Sequence, residues 1–182
     1  MRFLLIGGQD DIGNAIIKKY NADFCSRSNG FNIDVLEKRK KIAEISLKYN
    51  IVLLHSYTNL NSQYELLKEV SHQWKEQKKH GNILVTGSIA TYFENFKNPK
   101  YAADKAATDT FVKHMAKKST FENHFKVTVI KAGMLDTEKS RSKPHFEKGL
   151  SVETFCKTID FIINQDADVI IPEIVIESTH GT

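Results

Sequence analysis

Short apolar runs alternate with longer amphipathic stretches along the whole chain. The runs of strand length lie at residues 3–6, 22–26, 31–33, 51–54, 83–85, 127–130 and 169–176. Strands that are buried on both faces appear as continuous apolar runs, and parallel strands need helical crossovers between them. The pattern therefore predicts an α/β fold, a three-layer αβα sandwich with a mainly parallel sheet of about seven strands.

Apolar positions at helical spacing predict the connecting helices. The longest covers residues 61–80, where apolar residues from Leu66 to Trp74 recur among charges. The other predicted helices follow the first glycine turn, cover 35–49, begin at Pro99 and cover 151–164.

Two features near the carboxyl end break the alternation. Residues 138–149 are polar and lack a period, as expected for a mobile loop over a site. Pro172 interrupts the last apolar run, and because proline cannot donate to a strand ladder, this strand is expected at a sheet edge.

Composition and charge are those of an ordinary globular protein. The 182 residues are 41% hydrophobic and 26% charged, enough for one well-buried core, so we expect a single domain over residues 1–182. The net charge of +4 comes from scattered lysines without arginine–aromatic interleaving, which argues against a nucleic-acid partner. No apolar run approaches a membrane span, and glycines follow the first strand too early for a signal peptide. We therefore expect a cytoplasmic protein without membrane contact.

Cysteines and histidines give no sign of a metal site. Cys25 and Cys156 have no metal-ligand partners at useful spacing, so buried free thiols in a reducing compartment are expected. Four histidines form no tight pair with a carboxylate or thiolate: His55, His114, His124 and His145. We expect no metal.

A glycine-rich turn follows the first predicted strand. It runs Gly7, Gly8, Gln9, Asp10, Asp11, Ile12, Gly13, and residues at helical spacing come next. Strand, glycine turn and helix in this order let the backbone approach a pyrophosphate and point helix N-terminal amides at it. The turn therefore predicts a dinucleotide site held by Gly7, Gln9, Asp11, Ile12 and Gly13.

The second predicted strand ends in Ser26, Arg27 and Ser28. In dinucleotide-binding folds an acidic residue after this strand holds the ribose 2′-hydroxyl, whereas a nearby arginine accommodates a 2′-phosphate. The acid is absent and Arg27 is present, which favours NADP(H) over NAD(H) and makes these three residues candidate cofactor contacts; a plain surface arginine is the alternative. Asp34, after the next apolar run, is expected to meet the adenine.

A further candidate group surrounds the helix that begins at Pro99. Asn98 can cap this helix, and Tyr101 and Lys105 stand one turn apart on one face. An ammonium group that close stabilises a phenolate, so Tyr101 is expected to titrate below its usual value of about 10 and to serve as a general acid. Ser88, at the end of the preceding strand, can supply a hydroxyl aimed at the same oxygen.

The same tyrosine–lysine spacing occurs a second time, at Tyr64 and Lys68. There Ile51, inside an apolar run, takes the place of the serine. Only the set around Tyr101 combines a strand-end hydroxyl with a capped helix, and an incidental surface pair is its alternative.

Together these residues resemble the short-chain dehydrogenase/reductase family over nearly the whole chain. The family's glycine motif falls on residues 7–13, its serine on Ser88, and its tyrosine and lysine on Tyr101 and Lys105, thirteen and seventeen positions later. Asn61, twenty-seven positions before Ser88, falls where the active-site asparagine commonly stands. The resemblance implies a Rossmann-type domain that uses a nicotinamide cofactor to reduce a carbonyl or oxidise an alcohol.

The resemblance also implies a role for each catalytic residue. Tyr101 would protonate the forming alkoxide, and Ser88 would hydrogen-bond the carbonyl oxygen. Lys105 would bind the nicotinamide ribose while lowering the tyrosine pKa. Asn61 would hold a water that feeds the proton relay.

Further cofactor contacts come from two more strand ends. The segment 132–137 resembles the family's proline–glycine motif, so Gly133 and Leu135 would line the nicotinamide and Thr137 could bond its carboxamide. The cofactor contacts after the fourth strand are expected from His55, Ser56 and Tyr57.

The chain departs from the family pattern at several positions. Asp11 replaces the middle glycine of the phosphate turn and Asp10 adds a second carboxylate, which should weaken pyrophosphate binding unless both side chains turn outward or cap the helix. His55-Ser56-Tyr57 replaces the Asn-Asn-Ala-Gly motif, Ile6 replaces a threonine, and Ala132 replaces the proline. The chain is also short for the family, which trims one wall of the cleft.

Three functions remain in competition. The first is an NADP(H)-dependent oxidoreductase that reduces a small carbonyl compound or oxidises the matching alcohol, working as a homodimer or homotetramer. The second is a non-catalytic NAD(P)-binding sensor or scaffold, and the third is a domain that binds no nucleotide. Tyr92, Phe93 and Phe96 follow Ser88 where the family lines its substrate pocket, which favours an aromatic or apolar substrate, although core packing is an alternative.

Overall fold

The computed structural model describes residues 1–58, 61–92, 98–119, 124–144 and 146–179. Their strands are β1 (Phe3–Ile6), β2 (Asp23–Cys25), β3 (Ile51–Leu54), β4 (Gly81–Thr86), β5 (Phe125–Ala132) and β6 (Glu173–Ile176). Their helices are α1 (Asp11–Tyr20), α2 (Leu36–Ser46), α3 (Ser62–Glu76), α4 (Pro99–Ser119), α5 (Glu138–Arg141) and α6 (Val152–Ile163). None of the helices in these ranges is long and apolar enough to cross a membrane.

The six strands form one parallel sheet in the order β2-β1-β3-β4-β5-β6. The predicted α/β class and parallel sheet are confirmed, but the count of about seven strands is one too high. Residues 31–33 do not join the sheet, because Gly30 takes a left-handed conformation with φ of 89° and the Phe31 N–H turns back to the Ser26 carbonyl at 2.9 Å. The outermost strand of the usual dinucleotide-binding order is thus missing.

Strand β2 is therefore an edge of the sheet. It is only three residues long, and Cys25 at its end accepts from the Gly7 N–H at 3.0 Å. On the other side of β2 the Phe24 carbonyl accepts a hydrogen bond of 2.9 Å from the Asn29 side-chain amide.

Two apolar clusters fill the spaces on either side of the sheet. One face packs against α2, α3 and α4, with Trp74 and Phe125 in edge-to-face contact at 5.7 Å. The other face packs against α1 and α6, where Phe155 is fully buried. Alternate residues of each strand enter opposite clusters, as Leu4 and Leu5 do in β1, because strand side chains have a period of two.

The chain leaves β1 toward β2 and later returns to the other side of β1 through β3. In an open parallel sheet, ligands bind outside the carboxyl ends of the strands where the strand order reverses. That point lies between β1 and β3, so the loops after these two strands form the floor of the expected crevice.

The carboxyl-terminal third differs from prediction in one segment. Residues 138–149 are not wholly irregular, because Thr137 caps the one-turn helix α5 by accepting from the Ser140 N–H. The edge position predicted from Pro172 is confirmed, since β6 begins directly after it and pairs only with β5 within the described residues.

A buried ion cluster joins α4 to the last two strands. The ammonium of Lys131 on β5 lies 2.8 Å from the Asp109 carboxylate and 2.9 Å from the Glu173 carboxylate. Burial alone would lower the pKa of Lys131, but these two carboxylates outweigh it and raise the pKa. Lys113, which is 54% exposed, pairs with the same Glu173 from the surface at 3.1 Å.

Replacing Lys131 by methionine should leave the buried Asp109 carboxylate without its ammonium partner, whereas Glu173 keeps Lys113. Removing one partner of a buried ion pair costs about 3–5 kcal/mol, whereas an exposed pair contributes about 1 kcal/mol or less. We expect urea unfolding to show the large loss of unfolding free energy for Lys131→Met and a small one for the matched control Lys113→Met. Equal losses for the two variants would contradict a structural role for the buried cluster.

Candidate functional site

Most of the predicted site residues lie in the segments that follow the carboxyl ends of five neighbouring strands. The glycine turn follows β1, Ser26 to Ser28 follow β2, and His55 to Tyr57 follow β3. Ser88 follows β4, and Gly133 to Thr137 follow β5. Parallel strands bring their carboxyl ends to one edge, so residues far apart in sequence share one crevice.

The first turn is tightly packed against β3. A Cβ atom on Gly7 would lie 3.0 Å from the His55 Cβ, and one on Gly13 would lie 2.0 Å from the Gly8 carbonyl oxygen. Only glycine fits Gly13 without moving backbone, as expected for a turn that brings a helix close to its strand. Ile12 is buried beneath the turn, and Gln9 lies exposed on it.

Both aspartates of the turn have partners within the protein. Asp10 caps α1, its carboxylate accepting from the Gly13 N–H at 2.8 Å and lying 3.4 Å from the His55 ring. Burial acts to raise the pKa of Asp10, but the hydrogen bond and charge interaction with His55 and the Gly13 bond lower it. Asp11 accepts from the Glu138 N–H at 2.6 Å and so faces the segment after β5. The two negative charges are thus used to cap a helix and to tie down a loop.

His55 links the first turn to the end of β4. Its Nδ1 hydrogen-bonds the Thr86 hydroxyl at 3.0 Å, and its Nε2 faces Asp10. The family's asparagine motif is absent here, and a buried imidazole occupies the position after β3 instead. Ser56 is half-buried beside it.

The residues after β2 form a small polar network. The hydroxyls of Ser26 and Ser28 lie 2.7 Å apart, and Ser28 donates to the Gln9 side chain at 3.5 Å. Arg27 is 71% exposed and pairs with Asp34 at 3.4 Å. The Asp34 carboxylate also accepts from the Ser62 hydroxyl at 2.5 Å.

The contacts with Arg27 and Ser62 occupy the Asp34 carboxylate, which is predicted to meet the adenine. The hydrogen bond from Ser62, together with the charge of Arg27, lowers the pKa of its carboxyl against a burial effect that would raise it. The Asp34 side chain is therefore committed to protein partners, and its contact with adenine stays a prediction.

Lys105 is the most enclosed charge of the candidate site. It is 4% exposed, and its ammonium donates to the Thr86 carbonyl and to the Gln63 side-chain oxygen, both at 2.7 Å. Burial lowers the pKa of Lys105 to about 8, although the carboxylates of Asp109 and Asp104 act in the opposite direction. The lysine is thereby fixed to the strand that leads into Ser88.

Two tyrosine rings lie against this lysine. The Lys105 Nζ is 5.4 Å from the centroid of the Tyr57 ring and 5.9 Å from that of Tyr101, and the two rings meet edge to face at 4.8 Å. Tyr57 donates to Asp104 at 3.3 Å, and burial followed by that carboxylate raises the pKa of the Tyr57 phenol. Tyr57 thus remains a neutral ring that covers the ammonium group.

The predicted helix cap at Asn98 is confirmed. Its side-chain oxygen accepts from the Tyr101 N–H at 3.1 Å and its carbonyl accepts from the Ala102 N–H at 3.3 Å. Ser88 starts the short 3-10 turn Ile89–Thr91, and its hydroxyl accepts from the Ala90 N–H at 3.2 Å. Tyr101 thus lies beside Lys105. Ser88 follows two residues after Thr86, whose carbonyl accepts from the Lys105 ammonium.

Two amide side chains lie at the start of α3, and the water-holding role predicted for Asn61 stays a prediction. Asn61 is exposed at the start of α3 with φ of 54°, and its side chain makes no capping bond. Gln63, two residues on, is 3% exposed and contacts Lys105 directly. Its sequence signal was its place in the apolar stripe of α3, at helical spacing from Leu66 and Leu67.

The segment after β5 is held mainly by backbone contacts. The Gly133 N–H donates to the Ile176 carbonyl at 2.9 Å, and Leu135 forms a parallel bridge with Leu150. The Thr137 hydroxyl lies 2.9 Å from that of Ser140 while it caps α5. Contacts of Gly133, Leu135 and Thr137 with a nicotinamide stay a prediction.

Of the aromatic residues predicted for the substrate side, Tyr92 lies within the described ranges, and Phe93 and Phe96 lie outside them. The Tyr92 hydroxyl donates to the Glu173 carboxylate, and its ring centroid is 4.1 Å from the Lys131 ammonium. The ring keeps half of its surface exposed while its hydroxyl joins the buried ion cluster.

The prediction that there is no metal site concerns residues of which the structure describes only a part. Within the described ranges, no group of three or more His, Cys, Asp or Glu side chains is placed to hold a metal ion. His145 lies outside these ranges, and Cys25 and Cys156 are both free and buried.

Comparison with known proteins places the chain in a family. A sequence profile described as short chain dehydrogenase matches residues 32–148, well over half of the chain. The chain therefore belongs to the short-chain dehydrogenase family. Among curated proteins, none matches the chain.

Solved structures share the fold at low sequence identity. A 4-hydroxyisoleucine dehydrogenase complexed with NADH superposes with a TM-score of 0.78 at 16% identity, covering 100% of both chains. A small-chain dehydrogenase in complex with NADPH gives 0.77 at 15% identity, covering 97% of this chain and 96% of that one. The serine dehydrogenase from Escherichia coli gives 0.75 at 13% identity over 100% of both chains. These likenesses establish the fold.

The cover that Tyr57 forms over Lys105 can be tested chemically. We expect Tyr57→Ala to expose the Lys105 amine, so that acetic anhydride acetylates it faster than in the parent protein once each rate is divided by the fraction of neutral amine in that protein. Peptide mass spectrometry measures the rate at Lys105. Tyr64→Ala, which removes a ring packed on Phe111 at 5.5 Å, is the matched control and should leave this rate unchanged. An unchanged rate in Tyr57→Ala would contradict the cover.

Proposed function

We propose that this protein is an NADP(H)-dependent oxidoreductase that reduces a small carbonyl compound, or oxidises the matching alcohol, through Ser88, Tyr101 and Lys105. The observation that carries the proposal is the position of Lys105 beside the Tyr101 ring, with its ammonium bonded to the end of the strand that leads into Ser88. A phenol next to a buried ammonium group is suited to give and take a proton.

The residues present fit a dinucleotide. The Gly7 and Gly13 positions have no room for a side chain, Asp10 turns back to cap the amino end of α1, and Asp11 is bonded to the Glu138 N–H. A helix amino end favours negative charge, so the first turn would hold the pyrophosphate. When bound, the nicotinamide cofactor supplies or accepts the hydride.

The protein's own part in the reduction is to orient the carbonyl and move one proton. Ser88 donates a hydrogen bond to the carbonyl oxygen and so holds it toward Tyr101. As that oxygen gains negative charge, the Tyr101 hydroxyl gives it a proton and becomes a phenolate. Lys105 stabilises the phenolate through its positive charge, and a proton from solvent later restores the phenol.

The preference for NADP(H) rests on Arg27. Its guanidinium is largely exposed at the end of β2, and Ser26 and Ser28, not carboxylates, flank it. A 2′-phosphate at this point would meet positive charge and two hydroxyls. The pair with Asp34 at 3.4 Å is solvent-exposed on the arginine side and is weak enough to be exchanged.

A non-catalytic NAD(P)-binding sensor or scaffold is the second candidate function. The Tyr57 cover favours it, because a lysine that is 4% exposed offers little of its ammonium to a ribose. Calorimetry that shows tight NADPH binding, together with no oxidation of NADPH across a broad carbonyl panel, would favour this candidate over the enzyme.

The proposal also includes a cellular compartment, an oligomeric state and a type of substrate. Free, buried Cys25 and Cys156 suit a reducing compartment such as the cytoplasm. The alanine-rich face of α4 permits close approach of a second copy, as in a homodimer or homotetramer. The half-exposed ring of Tyr92 favours a substrate with an apolar or aromatic part.

Removing the Tyr101 hydroxyl should abolish proton transfer and leave the cofactor site intact. We expect Tyr101→Phe to lower kcat by about 10²–10⁴-fold on any accepted carbonyl, with an unchanged Kd for NADPH. Tyr64→Phe changes the second Tyr-x-x-x-Lys pair and should keep full activity. Full activity of Tyr101→Phe would show that the proton comes from another group.

Removing the Arg27 charge should affect one cofactor and not the other. A hydrogen bond to a charged group contributes about 1.5–3 kcal/mol, so we expect Arg27→Gln to raise the Kd for NADPH about tenfold to hundredfold. Calorimetric titration with NADH, which lacks the 2′-phosphate, serves as the control and should give the same Kd in both proteins. Parallel losses for both cofactors would assign Arg27 a general structural role.

A further inference from the structure

Gln63 fills the gap where two central strands separate. The β3–β4 ladder ends at the pairing of Leu54 with Val85, and beyond it the Leu54 and Thr86 carbonyls point into the site. The Gln63 amide NH₂ donates to Leu54 at 3.0 Å and to Thr86 at 3.3 Å. Buried carbonyls need donors, and Gln63 supplies one for each.

These bonds determine which way the amide faces. Only the NH₂ end can donate to two carbonyls, so the side-chain oxygen must point the other way, where it accepts from the Lys105 ammonium at 2.7 Å. Lys105 and Gln63 also share the Thr86 carbonyl. The lysine ammonium, the amide and the strand end therefore form a closed ring of hydrogen bonds.

We propose that Gln63, rather than Asn61, is the amide of this active site: it is a positioning residue that holds the Lys105 ammonium beside Tyr101 through an uncharged acceptor. The inference rests on the proposed function for its catalytic meaning. Its structural content, the hold on Lys105, is independent of turnover.

Uncharged acceptors leave burial as the largest effect on the pKa of Lys105. Lys105 is bonded to two neutral oxygens, and the carboxylates that face it, Asp104 and Asp109, come from its own helix and are each paired with another lysine. From the loop after β3 it faces the phenol of Tyr57, and from α4 the phenol of Tyr101. With burial dominant, its pKa falls to about 8, so its charge responds to pH near neutrality.

The test follows the titration of Lys105 itself in the apoprotein. Protein labelled with ¹³C at lysine Cε is titrated by NMR, and the Lys105 signal is assigned by its loss in Lys105→Arg. We expect a midpoint near 8 in the parent. Gln63→Met removes the acceptor from the charged amine and should lower the midpoint, whereas Gln63→Glu adds an opposite charge and should raise it by about 1–3 units.

Lys105 midpoints that move in opposite directions in Gln63→Met and Gln63→Glu distinguish a positioning role of Gln63 from a packing role. Loss of packing would admit water and move both midpoints up toward the ordinary value of about 10.4. Gln73→Glu adds the same charge to α3 about 15 Å farther along and should leave the midpoint unchanged. Far-ultraviolet circular dichroism establishes that each variant is folded during titration.

The titration tests the role of Gln63 separately from the proposed oxidoreductase activity. Midpoints that stay at the parent value in both variants, or rise in both, overturn the role of Gln63 even if the enzyme is active. Opposite displacements support it even if no carbonyl is reduced, which would count against the oxidoreductase alone. In an active enzyme, the alkaline limb of kcat/KM should shift to higher pH in Gln63→Glu along with the midpoint.

Discussion

One buried ammonium group holds the centre of this structure together. Lys105 reaches from α4 to the carboxyl end of β4, and through Gln63 it is connected to the end of β3 as well. Burying a charge is costly unless each donor finds an acceptor, so the helix and the two strands must keep the spacing that these bonds require. The same constraint fixes Tyr101, because it stands one turn before Lys105 on the same helix.

The protein buries a second lysine and treats it in the opposite way. Lys131 meets two carboxylates, which raise its pKa, whereas Lys105 meets neutral oxygens and burial lowers its pKa to about 8. Both lie at the carboxyl edge of the sheet on the side of α4. The difference in partners means that one ammonium group holds β5 and β6 against α4 as a charged group, whereas the other is the lysine on which the proposed proton transfer depends.

The sequence predicted the strands and the glycine turn well, because buried parallel strands leave continuous apolar runs. It failed at residues 31–33, where an apolar run is turned back by the left-handed Gly30. In the site, motif spacing predicted Tyr101 and Lys105 together, since one helix carries both. Gln63 was missed because its three bonds depend on where β3 and β4 separate, which is a tertiary property.

The missing outer strand has a consequence for how the protein behaves in a crowded solution. An exposed strand edge is normally a template onto which another chain can add and begin to aggregate. Here the edge strand β2 has three residues, and the Asn29 side chain already occupies its outward Phe24 carbonyl. The sheet therefore ends in a short edge strand whose outward carbonyl is already bonded, which disfavours the addition of a strand from another chain.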